Sequence, residues 1–199
     1  WISDTGEVIS PDRFIPALEE NGYIIQLDRY IWEKACQVIC RWMEQGRRIL
    51  PISVNISRID IMDMDVVEVF SQLLDRYKIP VEYLELEITE SAYAAKESLI
   101  KEAETGLRKL GFKILIDDFG SGYSSLNMLK DIQADVLKLD MRFLDMNKDN
   151  YLKGRNIVSS VITMANQIDL PVIAEGVETL EQSEMLLSLG CSFAQGYYY

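Results

Sequence analysis

Six short apolar segments alternate with amphipathic helical patterns along this chain, and that alternation is the strongest constraint on its fold. ILPISVNIS (49–57), YLELEITE (83–90), KILIDDF (113–119), ADVLKLD (134–140), LPVIAEG (170–176) and SFAQGYYY (192–199) read as strands. Between them, IIQLDRYIWEKACQVICRWMEQG, DVVEVFSQLLDRYK, ESLIKEAETGLRKLG, RNIVSSVITMANQI and LEQSEMLLSLG carry apolar residues at helical spacing. Gly111 and Gly190 follow helical runs directly before strands, as helix-ending glycines do, and Ser10-Pro11 reads as an N-cap with proline at the first helical position. Such a chain forms a parallel sheet covered by helices, either open and doubly wound or closed as a barrel. No linker, low-complexity tract or shift of composition divides it, so residues 1–199 are expected to be a single domain.

The strand ends discriminate between the two architectures. They carry Asn55, Glu87, Asp117 with Asp118, Lys138 with Asp140, Glu175 and Gln195 in turn. Polar groups at the C-terminal end of every strand converge on one mouth in a barrel. An open dinucleotide-binding sheet concentrates its signal in one glycine-rich turn instead, and no GxGxxG or Walker sequence is present. The expected fold class is therefore α/β, a TIM-like (β/α) barrel.

The stretch ILIDDFGSGYSSL, residues 114–126, ends a buried strand in two adjacent carboxylates. Side by side in a mouth of low dielectric, they stay ionised only if cations neutralise them. Composition sharpens the point: the net charge is -12 and there is no histidine. Imidazole-based triads and zinc sites are excluded, which leaves carboxylates, lysine and bound metal for any catalysis. An all-oxygen set of Asn55, Glu87, Asp117, Asp118 and Glu175 suits Mg²⁺ or Mn²⁺ rather than zinc or copper. Two such ions would turn an acidic mouth into a site for an anion such as a phosphodiester, with Lys138 stabilising charge on the phosphate. The acidic surface argues against binding a DNA or RNA duplex.

Each residue alone has a plainer reading. An Asp-Asp pair after a strand is commonly a solvated turn or a helix cap. Lys138, flanked by Leu137 and Leu139, fits a surface lysine, and Glu87, between Leu86 and Ile88, a surface glutamate. Gln195 could serve only backbone groups. The coincidence of compatible groups at all six strand ends weighs against these readings taken together.

ISPDRFIPALEENG, VNIS, LEITES, IDDFGSGYSSL, LKLD, VIAEGVE and AQGY, in this order and spacing, resemble the EAL domains of bacteria, which hydrolyse cyclic di-GMP to linear pGpG. The resemblance covers essentially the whole chain. It implies that Asn55, Glu87, Asp117 and Asp118 hold the metals, with Glu175 as metal ligand or base and Lys138 beside the attacking water. Gln195 corresponds to a glutamine near that water. Glu90 and the loop from Asp118, including Ser121, Gly122 and Tyr123, correspond to a glutamate and loop that order the metal site and a homodimer contact. Asp140 supports substrate or lysine, and Glu178 is a second acid of its motif. The resemblance further implies Mg²⁺ or Mn²⁺ as cofactor, two ions per site, with Ca²⁺ inhibitory, and fusion to regulatory or GGDEF domains in a longer signalling protein.

Two departures from the family pattern stand out. Ser121 replaces a common threonine. The defining Glu-Ala-Leu, with an arginine shortly after, belongs just upstream of a tryptophan that resembles Trp1, so the first strands and a closing segment beyond Tyr199 are expected outside this sequence. The expected function is metal-dependent hydrolysis of cyclic di-GMP; the alternative is a non-catalytic cyclic di-GMP receptor, and a different metal-dependent barrel hydrolase is a third. Cys36, Cys40 and Cys191 form no CxxC pair, and with no apolar run of roughly 20 residues the chain is expected to be cytoplasmic, with no membrane insertion.

Overall fold

The computed structural model describes residues 1–95, 97–120, 133–140 and 151–199. In chain order the elements are α1 (Pro11–Glu20), α2 (Ile24–Glu44), β1 (Ile52–Ile56), α3 (Arg58–Asp63), α4 (Val66–Tyr77), a 3₁₀ turn (Val81–Tyr83), β2 (Leu84–Thr89), α5 (Glu90–Ala95), α6 (Glu97–Lys109), β3 (Lys113–Phe119), β4 (Val136–Asp140), α7 (Tyr151–Gln167), β5 (Val172–Glu175), α8 (Leu180–Ser188) and β6 (Phe193–Ala194). All neighbouring strands are parallel, and their spatial order is their chain order, β1 to β6. A doubly wound sheet must reverse its order at a switch point, whereas a sheet that always advances in one direction is the wall of a (β/α) barrel.

Local sequence sets the helix ends. Pro11 opens α1 after Ser10, whose side chain makes no capping hydrogen bond. Ser57 with Asp60, and Thr179 with Gln182, form reciprocal capping boxes on α3 and α8, and Asp65 caps α4. Gly111 and Gly190 follow α6 and α8 with positive φ, as expected from their places.

Period-2 alternation divides each strand between two environments. Val54 and Ile56, Leu84, Leu86 and Ile88, Ile114 and Ile116, Leu137 and Leu139, and Val172 and Ala174 all join the one core formed with the helices. Trp32 of α2 and Phe70 of α4 anchor that core with ring centroids 4.6 Å apart, and Phe70 continues to Phe112 at 5.4 Å. The alternate positions, Asn55, Glu87, Asp117, Lys138 and Glu175 among them, face the other side, the barrel interior. The inner side also takes some apolar residues: Leu115 of β3 sits there, buried but outside the helix-facing cluster.

The last strand is shorter than the sequence suggests, two residues instead of the whole of SFAQGYYY. After Gln195 the chain turns against the loop that follows β5: Gln195 N donates to Ala174 O, Val177 N to Gln195 O, and Tyr198 N to Val177 O. A Cβ on Gly196 would lie 2.2 Å from the Val177 carbonyl oxygen, so only glycine permits this approach.

Candidate functional site

Adjacent residues on a regular strand point to opposite faces, so Asp117 and Asp118 cannot both reach the interior from an unbroken β3. The break is visible in the pairing. Ile116 lies opposite Leu137 and Phe119 opposite Leu139, so β3 spends one more residue than β4 over the same span. This bulge falls on the two aspartates, and Asp118 takes a left-handed φ of 55°. Asp118 N donates to Asp117 Oδ1 at 3.0 Å, which fixes the turn. As a result, carboxylate oxygens of Asp117, Asp118 and Glu175 lie within 4.8 Å of one another.

Lys138 stands in the middle of this acidity. Its Nζ is 2.7 Å from Glu87 Oε1, 3.0 Å from Asp117 Oδ1 and 2.7 Å from Glu175 Oε1, and the residue is only 5% exposed. The surface readings of Lys138 and Glu87 therefore fail: flanking leucines place them opposite the helix core, but that opposite side is the barrel interior. Burial alone would pull the Lys138 ammonium down, yet hydrogen bonds and charge from Glu175, Glu87 and Asp117 overcome it and hold the lysine above its usual range. Burial raises Glu175 to about 7, against the lowering effect of Lys138 and with Asp117 adding to the rise.

The remaining sequence-selected residues surround this centre. Gln195 Nε2 donates to Glu175 Oε1, so the residue that follows β6 orients the β5 carboxylate. Asp140, 7% exposed, is paired in register with Glu175. Asn55, next to last in β1, lies beside Glu87, again in register. Glu90, 3% exposed, accepts the Gly120 N–H at 2.8 Å and so ties the start of α5 to the end of β3. Glu178 is exposed at the entry to α8, where its N–H donates to Gln182 Oε1, and it lies outside the acidic cluster. Ser121, Gly122 and Tyr123 lie outside the described residues.

Two contributors escaped the sequence reading. Trp32 Nε1 donates to the Asn55 carbonyl oxygen at 2.8 Å, holding the end of β1 from the helix side. Asp60 does the same for Ser57, accepting from its N–H at 2.8 Å and its hydroxyl at 2.7 Å. The S-x-x-D spacing of Ser57 and Asp60 is a capping signature that could have revealed the second.

The donor set fits hard divalent cations. All its atoms are oxygens, several carboxylates share one ammonium, and the raised pKa of Glu175 registers burial and negative charge that Lys138 alone does not offset. These features define the class: a (β/α) barrel with a buried lysine and an oxygen-donor acidic cluster at the C-terminal ends of its strands.

The comparisons narrow the class to a family. The family model described as EAL domain matches residues 1–199, and the chain belongs to that family. It is 35% identical over 198 residues to the signaling protein YkoW of Bacillus subtilis, covering 100% of this chain and 24% of that protein. It is 33% identical to the bifunctional diguanylate cyclase/cyclic di-GMP phosphodiesterase MucR of Pseudomonas aeruginosa, over 99% of this chain and 29% of the other. Thus the chain spans about a quarter of the length of these curated relatives. Among solved structures, the MucR phosphodiesterase in complex with c-di-GMP superposes with a TM-score of 0.91 at 32% identity, over 100% of this chain and 80% of that one. The EAL enzyme Bd1971, bound to cAMP and cyclic-di-GMP, gives 0.90 at 30% identity over 100% and 54%.

Proposed function

We propose that this domain hydrolyses cyclic di-GMP to linear pGpG, using Mg²⁺ or Mn²⁺ held by Asn55, Glu87, Asp117, Asp118 and Glu175. The observation that carries the reading is the buried Lys138 ammonium set among Glu87, Asp117 and Glu175 at the interior end of the sheet. A pair of divalent ions in such a site would polarise the phosphodiester and lower the pKa of the attacking water. Lys138, already dehydrated and fixed by three carboxylates, is placed to stabilise negative charge gathering on the phosphate oxygens. Glu175, oriented by Gln195, is suited to hold a metal or to take the water proton. Attack on phosphorus by water breaks one P–O3′ bond. The proton returns to the departing 3′ oxygen, and the ring opens to a single linear product.

The names of the relatives support cyclic di-GMP as substrate, and their lengths support a role as one domain of a longer signalling protein. No helix among the described residues is long and apolar enough to cross a membrane. Chromatographic separation of cyclic di-GMP from pGpG, with Mg²⁺ or Mn²⁺ and with EDTA, tests the reading. Turnover should vanish in EDTA and return with either metal, whereas Ca²⁺ should support binding with little turnover. Undiminished turnover in EDTA would overturn the metal site. Binding without turnover in every metal would favour the receptor.

A further inference from the structure

On the helix side of β1 lies a second pair of carboxyls, which the hydrolysis does not use. Asp60 in α3 is 0% exposed. Its Oδ2 is engaged by Ser57, but its Oδ1 is buried and meets no N–H or O–H group. Asp28 of α2, half-buried and one helical turn before Trp32, lies within hydrogen-bond reach of the Asp60 carboxyl, with Glu19 of α1 as the next charge toward it. Among the described residues, no lysine or arginine forms an ion pair with Asp28 or Asp60. Two facing carboxylates with a buried, unpaired oxygen are unfavourable, and a single proton between them removes both the repulsion and the orphan acceptor.

One turn of α2 thereby grips the end of β1 twice. Trp32 holds the Asn55 carbonyl directly, and Asp28 meets Asp60, which holds the main chain of Ser57. We propose that Asp28 and Asp60 share one proton, and that this protonated pair is a positioning device that presents Asn55 to the mouth. The positioning half rests on the metal-site reading above; the shared proton does not. Burial first, and then Asp60, push Asp28 from 3.8 up to about 8. The native state therefore binds an extra proton between those values, and the stability it confers falls as pH rises toward about 8, then levels.

Asp28→Asn replaces the shared proton with an amide that donates permanently to Asp60. Thermal unfolding of wild type and Asp28→Asn, without added metal, from about pH 5 to about pH 8.5, isolates the pair because titrations elsewhere cancel in the difference. The wild type should lose melting temperature relative to the variant across that range; parallel curves would overturn the shared proton. Calorimetric titration with Mn²⁺ alone then tests positioning. Asp28→Leu, without a donor, should bind Mn²⁺ at least about tenfold more weakly than wild type near neutral pH, while Asp28→Asn stays within about twofold. Equal Mn²⁺ affinity in a folded Asp28→Leu protein would overturn the positioning role. If Asp28→Leu does not fold, the wild type to Asp28→Asn ratio of Mn²⁺ affinities decides: it should fall toward alkaline pH, and a constant ratio contradicts the role. None of these readouts uses turnover, so the failure of the hydrolytic reading would leave the shared-proton test standing.

Discussion

Ile116 and Asp117 are neighbours in β3 with opposite surroundings. Ile116 is 0% exposed among the residues packed under the helices, while Asp117 accepts an ion pair from Lys138 in the interior. The same contrast repeats in β4, where Leu137 and Leu139 join the core and Lys138 between them gathers three carboxylates. One face excludes water and stabilises the fold in proportion to buried apolar area. The other buries charge, which is costly unless paired, and so contributes chemistry rather than stability. Substitutions on the two faces should therefore have separable effects.

The largest separation is expected at Glu175. Glu175→Gln keeps size and one hydrogen-bond partner but cannot accept the water proton, so turnover should fall by about 10² to 10⁴-fold while cyclic di-GMP binding in Ca²⁺ changes much less. Equal losses of both would mean that Glu175 only holds the site together. Next comes Lys138→Met, which leaves Glu87, Asp117 and Glu175 facing one another. It should cost about 10² to 10³-fold in turnover. Here the faces stop being independent: removing one partner of a buried ion pair should also destabilise the metal-free domain by about 3 to 5 kcal/mol. Denaturant titration with and without Mg²⁺ checks this, because added metal should restore part of the loss.

On the helix side, Leu86→Ala should cost about 2 to 5 kcal/mol of stability and leave turnover per folded molecule unchanged. A fall in turnover with intact folding would blur the division between the faces. The smallest effect concerns the bulge. Asp118 has a φ of 55°, which asparagine tolerates and alanine does not, so Asp118→Ala should be less stable than Asp118→Asn by about 1 kcal/mol. Both should lose turnover alike.

The helix-facing half of this division was legible in the sequence, because burying one face of each strand under helices leaves an apolar period of two that needs no tertiary knowledge. The interior half was only partly legible. Spacing places Lys138 and Glu87 opposite their leucines but does not say whether that side is solvent or a barrel interior; the register of neighbouring strands decides it. That Asp117 and Asp118 come together depends on a one-residue bulge, which no residue type in IDDF announces. Asp28 gave no signal, since a lone aspartate on a helix reads as solvated until its partner 32 positions along the chain is brought against it. The overextended last strand failed for the opposite reason: aromatic residues after Gly196 carry strand propensity, but the close approach of Gly196 to Val177 turns the chain away.

The most direct test uses the two neighbours in β3, Ile116→Ala and Asp117→Asn, measuring for each the free energy of unfolding and the Mg²⁺-dependent turnover per folded molecule. Ile116→Ala should lose about 2 to 5 kcal/mol of stability with its turnover intact. Asp117→Asn, which leaves Lys138 paired with Glu87 and Glu175, should stay within about 1 kcal/mol of the parent in stability and lose at least about 10²-fold in turnover. An Asp117→Asn domain that hydrolyses cyclic di-GMP at the parental rate, or a folded Ile116→Ala domain that does not, would contradict the assignment of stability to one face and chemistry to the other.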